Sequence, residues 1–553
     1  MKALICSVYG AGGKDPFLSL LPVGVGSLVA VLRAAGIAAK AANFSGISPA
    51  GISKILSTER PALLGISVMT HNRHDSVRLA QLAKELNPDC FVVFGGPHAT
   101  HRHREILAAF PAVDAVVLGE GEETLRELAQ IRAGNRQAAL SAIRGLAFRK
   151  GNGIFATPPR PPLPDLDHLP PAFTGFEDGI NIDLRQQLEF LITSRGCPAA
   201  CTFCNSPLFW GKALRFRSPR NMVDEIRAIR NRYGLIYFSI RDDTFTTDRK
   251  RVIEFCRLLL EERLFILWNC QSRVSAVDDE MLLLMRRAGC DCIQYGIESG
   301  APEILTALGK RITLEQIVRA AEATRRVGIR LSIYLITGVP GEAEKQLRET
   351  LHLLERLQAD DGQVSPLAYY PGTRLFDEAI RRRDVPEDLY ERSPEEALFV
   401  RNDPFVTAAT KRLLGKIAAV ARKNPATMRS LDSIRQLTGY CHAGNVTAGE
   451  FMAARGDYSG AEKQYREIVA KDQDNPWGWL MLGEHRMGQG QLFSALSAFR
   501  TLAELVPAHL PAWDSLTELY LASGNPGEAR MCRKRSRELR AAGCIPPGCP
   551  EKP

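Results

Sequence analysis

The sequence predicts an α/β protein with two successive parallel-sheet domains and an all-α C-terminal region. The two sheets are predicted by two observations. Short apolar runs alternate with helical stretches in residues 1–130, and the same alternation recurs in residues 185–385. A third observation predicts the helices, because residues 446–540 contain a sequence repeat with a period of 34 residues. A chain of 553 residues is too long for one hydrophobic core, so several domains are expected.

The first domain, residues 1–130, is predicted to be a Rossmann-like sheet with crossover helices. Strands are expected at Ala3–Val8, Leu63–Val68, Phe91–Phe94 and Val113–Leu118, and helices at Val23–Ala35 and Val77–Leu86. Ligands of such sheets bind beyond the carboxyl ends of the strands. The strand-end loops therefore supply the candidate binding residues, which are Ser67, Gly95, Gly96, His98, Gly119, Glu120 and Gly121.

Residues 131–184 are predicted to be a proline-rich linker. The stretches 158–164 and 165–171 contain too many prolines for a helix or a central strand. An extended path across the domain junction is expected.

Residues 185–385 are predicted to form a partial (β/α)6 barrel. Six strands are expected at Leu188–Thr193, Ile236–Ile240, Leu264–Cys270, Cys292–Ile297, Leu331–Thr337 and Val364–Tyr369. Their carboxyl ends would share one face, which is where barrels of this kind place their chemistry.

Three cysteines after the first of these strands, Cys197, Cys201 and Cys204, have the spacing C-x3-C-x2-C. Three nearby thiolates can hold three irons of a four-iron, four-sulfur cube and leave the fourth iron open to a small molecule. The alternatives are a zinc site or plain packing. A structural zinc site needs four ligands, and no fourth ligand lies nearby in the sequence.

This motif, with Phe203 before its last cysteine, resembles the signature of radical S-adenosylmethionine (SAM) enzymes. The resemblance implies a 4Fe-4S cluster on the three cysteines and SAM on the open iron, where one-electron cleavage yields a deoxyadenosyl radical. It also implies further SAM contacts, at Phe203, Asp242, Asp243, Arg273, Glu298, Gly338 and Val339. One of the two aspartates is expected to cap the next helix instead.

The first domain resembles the cobalamin-binding domain that precedes many radical SAM domains. The similarity lies in Leu21–Gly24, Gly95–His98 and Gly119–Glu122. The D-x-H-x-x-G motif of other cobalamin proteins is absent, so the resemblance implies cobalamin without a histidine on cobalt. A sheet domain that has lost its cofactor is the alternative.

Residues 386–445 are predicted to be a helical extension, and residues 446–540 resemble tetratricopeptide repeats. Equivalent positions recur at Ala461, Ala495 and Ala529, at Tyr465 and Phe499, and at Trp479 and Trp513. These residues are expected in the helix cores, and the groove is expected to bind a protein partner or cover the barrel mouth. Cys544 and Cys549 are expected to be unstructured.

The resemblance as a whole implies a cobalamin-dependent radical SAM enzyme that methylates an unactivated carbon of a small molecule or peptide. Radical cyclisation or oxidative rearrangement without methyl transfer is the alternative, and a scaffold without catalysis is a third. A one-electron donor such as flavodoxin or ferredoxin is expected. The net charge of +9 does not demand nucleic acid. No signal peptide or membrane span is apparent, and thirteen scattered cysteines favour a cytoplasmic location.

Overall fold

A computed structural model describes residues 1–9, 20–134, 139–392, 398–423 and 428–543. Within them lie two sheets of mainly parallel strands, followed by helices, so the predicted α/β class is confirmed. The buried core is shared, since Val25 and Phe176 belong to the same apolar cluster as Met222 of the second sheet's helices. Cys544 and Cys549 lie outside the described residues.

The first sheet and its helices occupy residues 2–156. In chain order the elements are β1 (Lys2–Ser7), α1 (Val23–Ala34), β2 (Ala38–Asn43), α2 (Pro49–Glu59), β3 (Leu63–Ser67), α3 (Arg73–Leu86), β4 (Phe91–Gly95), α4 (Pro97–His101), α5 (His103–Ala109), β5 (Ala115–Val117), α6 (Glu122–Arg132), β6 (Leu146–Lys150) and β7 (Gly153–Ala156). The strand order is β2-β1-β3-β4-β5-β6-β7.

The first five strands of this order are parallel, and β6 and β7 are antiparallel. The predicted linker is therefore wrong for residues 146–156, which extend the sheet as a hairpin. The proline-rich residues after 157 do form a connection without strands, up to α7 (Phe173–Phe176) and α8 (Leu184–Leu188).

The second sheet contains the six parallel strands that the sequence predicts. Its region contains β8 (Phe190–Leu191), β9 (Ser194–Arg195), α9 (Ser206–Phe209), β10 (Arg215–Phe216), α10 (Pro219–Tyr233), β11 (Tyr237–Ile240), α11 (Arg249–Glu261), β12 (Leu267–Ser272), α12 (Asp279–Arg287), β13 (Cys290–Glu298), α13 (Pro302–Ala307), α14 (Leu314–Arg326), β14 (Arg330–Thr337), α15 (Glu344–Leu357) and β15 (Asp361–Pro366). The order β8-β11-β12-β13-β14-β15 follows the chain, as a partial barrel requires.

Helices make up most of the rest. They are α16 (Arg374–Arg382), α17 (Leu389–Arg392), α18 (Pro404–Lys423), α19 (Met428–Thr438), α20 (His442–Ala454), α21 (Tyr458–Lys471), α22 (Pro476–Gly488), α23 (Leu492–Leu505), α24 (Leu510–Ala522) and α25 (Pro526–Ala542). Helix α20 packs on α21, α22 on α23 and α24 on α25. The predicted helical region is thus confirmed as helix pairs.

Equivalent positions of the sequence repeat occupy equivalent places in these pairs. Ala461, Ala495 and Phe499 are buried as expected. Trp479 and Trp513 are only half-buried, and each donates its indole N–H to a carbonyl six residues earlier, at 2.8 and 2.9 Å. The prediction that both tryptophans are core residues is therefore only partly right.

The helix pairs contact the amino-terminal ends of the barrel strands. His442 bonds to the carbonyl of Ile266, just before β12, at 3.0 Å, and His509 bonds to that of Gly234, just before β11, at 2.9 Å. A Cβ on Gly234 would lie 2.2 Å from the carbonyl oxygen of Ala508, so the packing there is close. The expectation that the repeats cover the barrel mouth is corrected, because the mouth is at the carboxyl ends.

Candidate active site

The cysteine loop leaves the carboxyl end of β8 and is fixed by backbone contacts. The amide of Cys197 donates to the carbonyl of Gly211 at 3.2 Å, and the amide of Thr202 donates to that of Leu308 at 2.9 Å. Gly196 has φ +99°, and a Cβ there would lie 2.2 Å from the carbonyl oxygen of Ala213. Only glycine fits this tight approach.

The three thiols lie within electrostatic reach of one another. Burial raises the pKa of Cys197, and it raises that of Cys204 to about 12, with smaller contributions from the other cysteines. Thiols with raised pKa values are not stable as thiolates together without a compensating cation. This donor set fits an iron–sulfur cluster, whose irons supply that charge.

The described residues contain no group of three or more His, Cys, Asp or Glu side chains that could hold a single metal ion. In a cube each thiolate binds a separate iron, so its ligands are spread more widely than those of one zinc ion.

The two adjacent aspartates after β11 have different surroundings. Asp242 is 1% exposed, and its two oxygens accept bonds of 2.5 to 3.0 Å from the amides of Thr193 and Ser194 and the hydroxyl of Thr193. Asp242 therefore fixes the start of the cysteine loop and does not line the cavity described below. The expected helix cap is Asp248, not either of the predicted residues.

Asp243 faces the cavity and accepts a bond from the hydroxyl of Ser206, close after Cys204. Burial raises the pKa of Asp243, and its charge in turn contributes to the raised pKa values of Cys197 and Cys204. Of the two predicted aspartates, only Asp243 remains in position to meet a ligand beside the cysteines.

Arg273 lies near the cysteine loop, and Phe203 is part of it. Arg273 is close enough for its charge to oppose the rise in the pKa of Cys197. Phe203 packs against the apolar cluster that contains Val339 and Ile336 of the barrel. Both positions agree with contacts to a ligand on the open iron, which stay predictions.

Glu298 ends β13 in a left-handed conformation, with φ +68°. It is 5% exposed and forms an ion pair of 2.5 Å with Lys310 through one oxygen. Its other oxygen, Oε2, is buried and has no hydrogen-bond partner in the part of the chain that the structure describes. Strain and an unpaired buried acceptor together indicate a ligand-binding position.

Gly338 and Val339 follow β14. The amide of Gly338 donates to Glu342 at 2.6 Å and its φ is +77°, whereas Val339 is 1% exposed. The Gly338 amide is thus already bonded, and any adenine contact here would use the other backbone groups of this turn.

A cavity of about 680 Å³ lies between the carboxyl ends of the two sheets. We call it the central cavity. From the first sheet it is lined by six of the predicted residues, Ser67, Gly95, Gly96, Gly119, Glu120 and Gly121. From the barrel side it is lined by Ser194, Phe209, Trp210, Arg241, Asp243 and Gln363. Of the predicted cluster and SAM residues, all of which the structure describes, Asp243 alone lines this cavity.

Glycines give the first sheet's wall its shape. A Cβ built at Gly24 or Gly119 would have no atom within 4 Å, and one at Gly95 would have its nearest neighbour at 3.9 Å. These positions leave open room beside bare backbone, as a cradle for a large ligand does. The wall fits a bulky cofactor such as cobalamin.

His98 does not line this cavity, so its predicted place near the cofactor is corrected. Its ring is 3% exposed, lies 3.2 Å from the hydroxyl of Thr70, and packs edge-on against Tyr390 at 5.3 Å. Burial holds the pKa of His98 well below its ordinary value, so the ring is neutral.

Buried ion pairs join the two walls of the cavity. Arg195, two residues before Cys197, binds Glu120 at 2.8 Å and Glu122 at 2.5 Å, and Arg215 binds Glu120 at 2.5 Å. We call these four side chains the Arg195 cluster. Burial alone would raise the pKa of Glu122, but the charge of Arg195 and the hydrogen bonds from Arg195 and Ser27 together outweigh burial and hold that pKa below its usual value.

Several lining residues were not predicted, among them His71, Trp210 and Arg241. His71 and Arg241 follow the strands β3 and β11, so the strand-end argument used for Ser67 and Asp243 would have found them. Trp210 gives no such signal, because it lies in an irregular segment after α9.

Comparisons with known proteins agree with this site. Residues 191–354 match the radical SAM superfamily, and residues 18–129 match the B12 binding domain. An uncharacterized methyltransferase of Pyrococcus horikoshii is 33% identical over 336 residues, which are 60% of this chain and 72% of the relative. The anaerobic magnesium-protoporphyrin IX monomethyl ester cyclase of Rubrivivax gelatinosus is 30% identical over 379 residues, 67% of this chain and 68% of the relative.

A solved structure, the radical SAM methyltransferase TsrM of Kitasatospora setae with cobalamin and a [4Fe-4S] cluster, shares the fold. The TM-score is 0.61 at 17% identity, over 85% of this chain and all of that one. The chain therefore belongs to the family of radical SAM enzymes with a B12 binding domain. Its cofactors are a 4Fe-4S cluster, SAM and cobalamin. No helix among the described residues is long and apolar enough to cross a membrane.

Proposed function

We propose that this enzyme transfers a methyl group from cobalamin to an unactivated carbon of a small molecule or peptide. The observation that carries the proposal is the central cavity, which the cobalamin-binding loops and the barrel mouth line together. A carbon placed there is within reach of both a radical source and a methyl carrier. The relative from Pyrococcus horikoshii is itself named a methyltransferase.

When bound, the cluster and SAM supply a hydrogen-abstracting radical, and cobalamin supplies the methyl group. The protein's part is to hold the cluster through Cys197, Cys201 and Cys204. Asp243, Arg273 and Glu298 would orient the amino acid and ribose parts of SAM. Phe203 packs where an adenine ring would meet the barrel.

The aromatic side chains of the mouth exclude water from the reacting atoms. Trp210 lines the cavity beneath the guanidinium of Arg195, which lies 4.9 Å from the ring centre. Phe190 and Phe209 line the same wall. A dry wall protects a carbon radical from side reactions.

The electron for SAM cleavage is proposed to come from flavodoxin or ferredoxin, and the enzyme is proposed to work in the cytoplasm. The C-terminal helix pairs are proposed to be tetratricopeptide repeats, on the strength of their period and their equivalent buried positions. Since they contact the amino end of the barrel, we propose that they support the barrel and offer their outer faces to a protein partner.

Ring closure or oxidative rearrangement is the second candidate, because the relative from Rubrivivax gelatinosus is named a cyclase. The products of SAM separate the two reactions. Methyl transfer consumes a second SAM to recharge cobalamin and releases S-adenosylhomocysteine beside deoxyadenosine. Ring closure releases deoxyadenosine without S-adenosylhomocysteine.

The test uses holoenzyme, reductant, SAM with a deuterated methyl group, and metabolites extracted from a strain that lacks the gene. We expect one extract component to gain the deuterated methyl group while both SAM products form in equal amounts. A variant with alanine at Cys197, Cys201 and Cys204 is the control and should form neither. Deoxyadenosine with an altered, unlabelled metabolite would replace the proposal with the second candidate.

A further inference from the structure

A second, smaller cavity lies at the amino-terminal end of the barrel, between α12 and the helices α19, α20 and α21. We call it the basal cavity, and the lining residues that matter here are Arg286, Gly328, Asp432, Ile434 and Arg435. Its volume is about 60 Å³. Since a single water needs about 10–15 Å³ of such space, the basal cavity has room for a group larger than one water.

Arg286, near the end of α12, is a buried cation beside this cavity and is 1% exposed. Its Nη1 donates to the carbonyl of Cys290 at 3.3 Å, and its Nη2 donates to the carbonyl of Ala443 at 3.2 Å and to the hydroxyl of Thr447 at 2.8 Å. All three acceptors are uncharged. Within the described ranges of the chain no carboxylate forms an ion pair with Arg286. A buried charge is costly unless it is paired, so this cation lacks a counter-charge.

The remaining nitrogen of the guanidinium, Nε, is buried and has no hydrogen-bond partner among the residues that the structure describes. It lies 3.7 Å from the place that a Cβ on Gly328 would take, and that Cβ would lie 2.8 Å from Ile434. Because Gly328 and Ile434 both line the basal cavity, the unpartnered edge of Arg286 is on the cavity side. A buried donor without an acceptor, next to open space, indicates a ligand-binding position.

The other charged side chains that line the basal cavity do not neutralise Arg286. Arg435 is already paired with Glu467, through bonds of 2.8 and 2.5 Å. Asp432 is exposed, as is Gly439, so the cavity opens to solvent beside them. The inner end of the cavity is therefore positive, and its one unpaired carboxylate, counted over the described residues, is at the mouth.

We propose that the basal cavity binds an oxyanion of phosphate size, either free phosphate or the phosphate group of a larger metabolite, against Nε of Arg286. A guanidinium binds phosphate oxygens through charge-assisted hydrogen bonds. The open side of the cavity leaves space for the rest of a larger molecule. The bound anion would contact α12 of the barrel and α19 together, so it would link the helical extension to the barrel. The proposal depends neither on cobalamin binding nor on methyl transfer.

Equilibrium dialysis with radioactive inorganic phosphate tests the assignment. The protein is loaded with cobalamin so that the central cavity is filled, and chloride keeps the ionic strength constant. Wild type should bind one phosphate per chain in a saturable manner. Arg286→Met, which keeps the length of the side chain without its charge, should bind phosphate at least about tenfold more weakly, because it loses a charge-assisted hydrogen bond.

A second variant changes affinity in the opposite direction. Asp432→Asn should bind phosphate more tightly, because a repelling carboxylate is removed from the mouth. Asp224→Asn, on an exposed position of α10 outside the cavity, is the matched control and should bind phosphate as wild type does. Competition by phenyl phosphate would assign the site to the phosphate group of a larger molecule, and failure to compete would assign it to the free anion.

Two outcomes would overturn the proposal. One is the absence of saturable phosphate binding to wild type, and the other is unchanged binding in Arg286→Met. If Arg286→Met does not fold, Asp432→Asn decides alone, and an affinity equal to that of wild type would overturn the proposal.

Discussion

The two sheets line the central cavity with different kinds of residue. The N-terminal domain contributes open glycine backbone at Gly24, Gly95 and Gly119 beside larger side chains, whereas the barrel contributes Trp210, Arg241 and Asp243. Cobalamin is a large rigid cofactor that is recognised by its shape, so its binding should be weakened by side-chain volume added to the N-terminal wall. SAM is a small charged cofactor that is recognised by its charges, so its binding should be weakened by the loss of side chains from the barrel wall.

The largest expected effect comes from removing the cysteines of the barrel, and it should affect the cluster and not cobalamin binding. Alanine at Cys197, Cys201 and Cys204 should abolish the brown chromophore of anaerobically reconstituted protein and all SAM cleavage, because no thiolate remains for iron. The same variant should still retain hydroxocobalamin through gel filtration, since the N-terminal wall is intact. Iron in the triple variant would show that the cluster lies elsewhere, and loss of cobalamin would show that the walls do not work separately.

A second effect concerns the support of the barrel. Removal of residues 444–553 takes away His509, the partner of Gly234 before β11, and exposes Leu267, which packs in the same apolar cluster as Val446 and Tyr465. We expect the truncated protein to aggregate and to lose its cluster, because the strand starts lose the helices that pack on them.

Gel filtration and iron content measure this outcome. Removal of residues 544–553 only is the matched control, and it should leave both unchanged. A truncated protein that stays monodisperse and cleaves SAM would show that the helix pairs are a module separate from the enzyme core.

A third effect tests the junction between the walls. Arg195→Ala leaves Glu122 buried without its cation, which should cost about 3–5 kcal/mol of unfolding free energy. Arg126→Ala removes a partly exposed pair with Glu123 on the same helix and should cost only about 0–1 kcal/mol. Chemical denaturation of the two variants measures the difference, and equal costs would contradict a buried junction.

Low pH should weaken the ion pair between Arg195 and Glu122. The pKa of Glu122 is lower in the folded protein than its usual value. The stabilisation that ionised Glu122 contributes is therefore fully present at pH values above the usual pKa. It is lost as the pH falls through the lowered pKa. Denaturation curves of wild type should therefore show a loss of stability below about pH 4.5 that Arg195→Ala lacks. If the stability of wild type and of Arg195→Ala changed with pH in the same way, the Arg195–Glu122 pair would not be the source of the acid sensitivity.

The smallest effect concerns the shape of the N-terminal wall. Gly24→Leu places a side chain in open cavity space at the start of α1, so cobalamin affinity should fall at least about tenfold, or about 1.4 kcal/mol. SAM cleavage by the barrel should be unchanged. Gly415→Leu, also a helical glycine with nothing within 4 Å, is the control and should bind cobalamin normally. Equal binding by both variants would show that shape does not govern this wall.

The sequence predicted the second sheet better than the first. All six barrel strands were found, because each is a buried apolar run followed by loop residues with chemistry. Strand β2 was missed, since its sequence of Ala, Lys and Asn has low β propensity and only its neighbour β1 makes it a strand. The hairpin of β6 and β7 was missed because the many prolines that follow it led to the prediction of a linker over all of residues 131–184.

Within the site, the sequence predicted the loops but not the direction of each side chain. Asp242 and Asp243 are adjacent, and only the fold shows that one bonds to the chain while the other faces the cavity. His98 was chosen for its similarity to a known motif, yet tertiary contacts with Thr70 and Tyr390 bury it elsewhere. The placement of the C-terminal helices at the amino end of the barrel also depends on long-range contacts that no local pattern encodes.

The Arg195 cluster has a consequence for the lifetime of the loaded enzyme. A ligand held between two walls is released faster when the walls can separate, and separation here breaks buried charge pairs. Since each 1.4 kcal/mol added to a barrier slows a rate about tenfold, we expect these pairs to lengthen the residence time of cobalamin. A scarce cofactor would then survive repeated dilution, and its exchange would be governed by the opening of the junction rather than by its concentration in the cell.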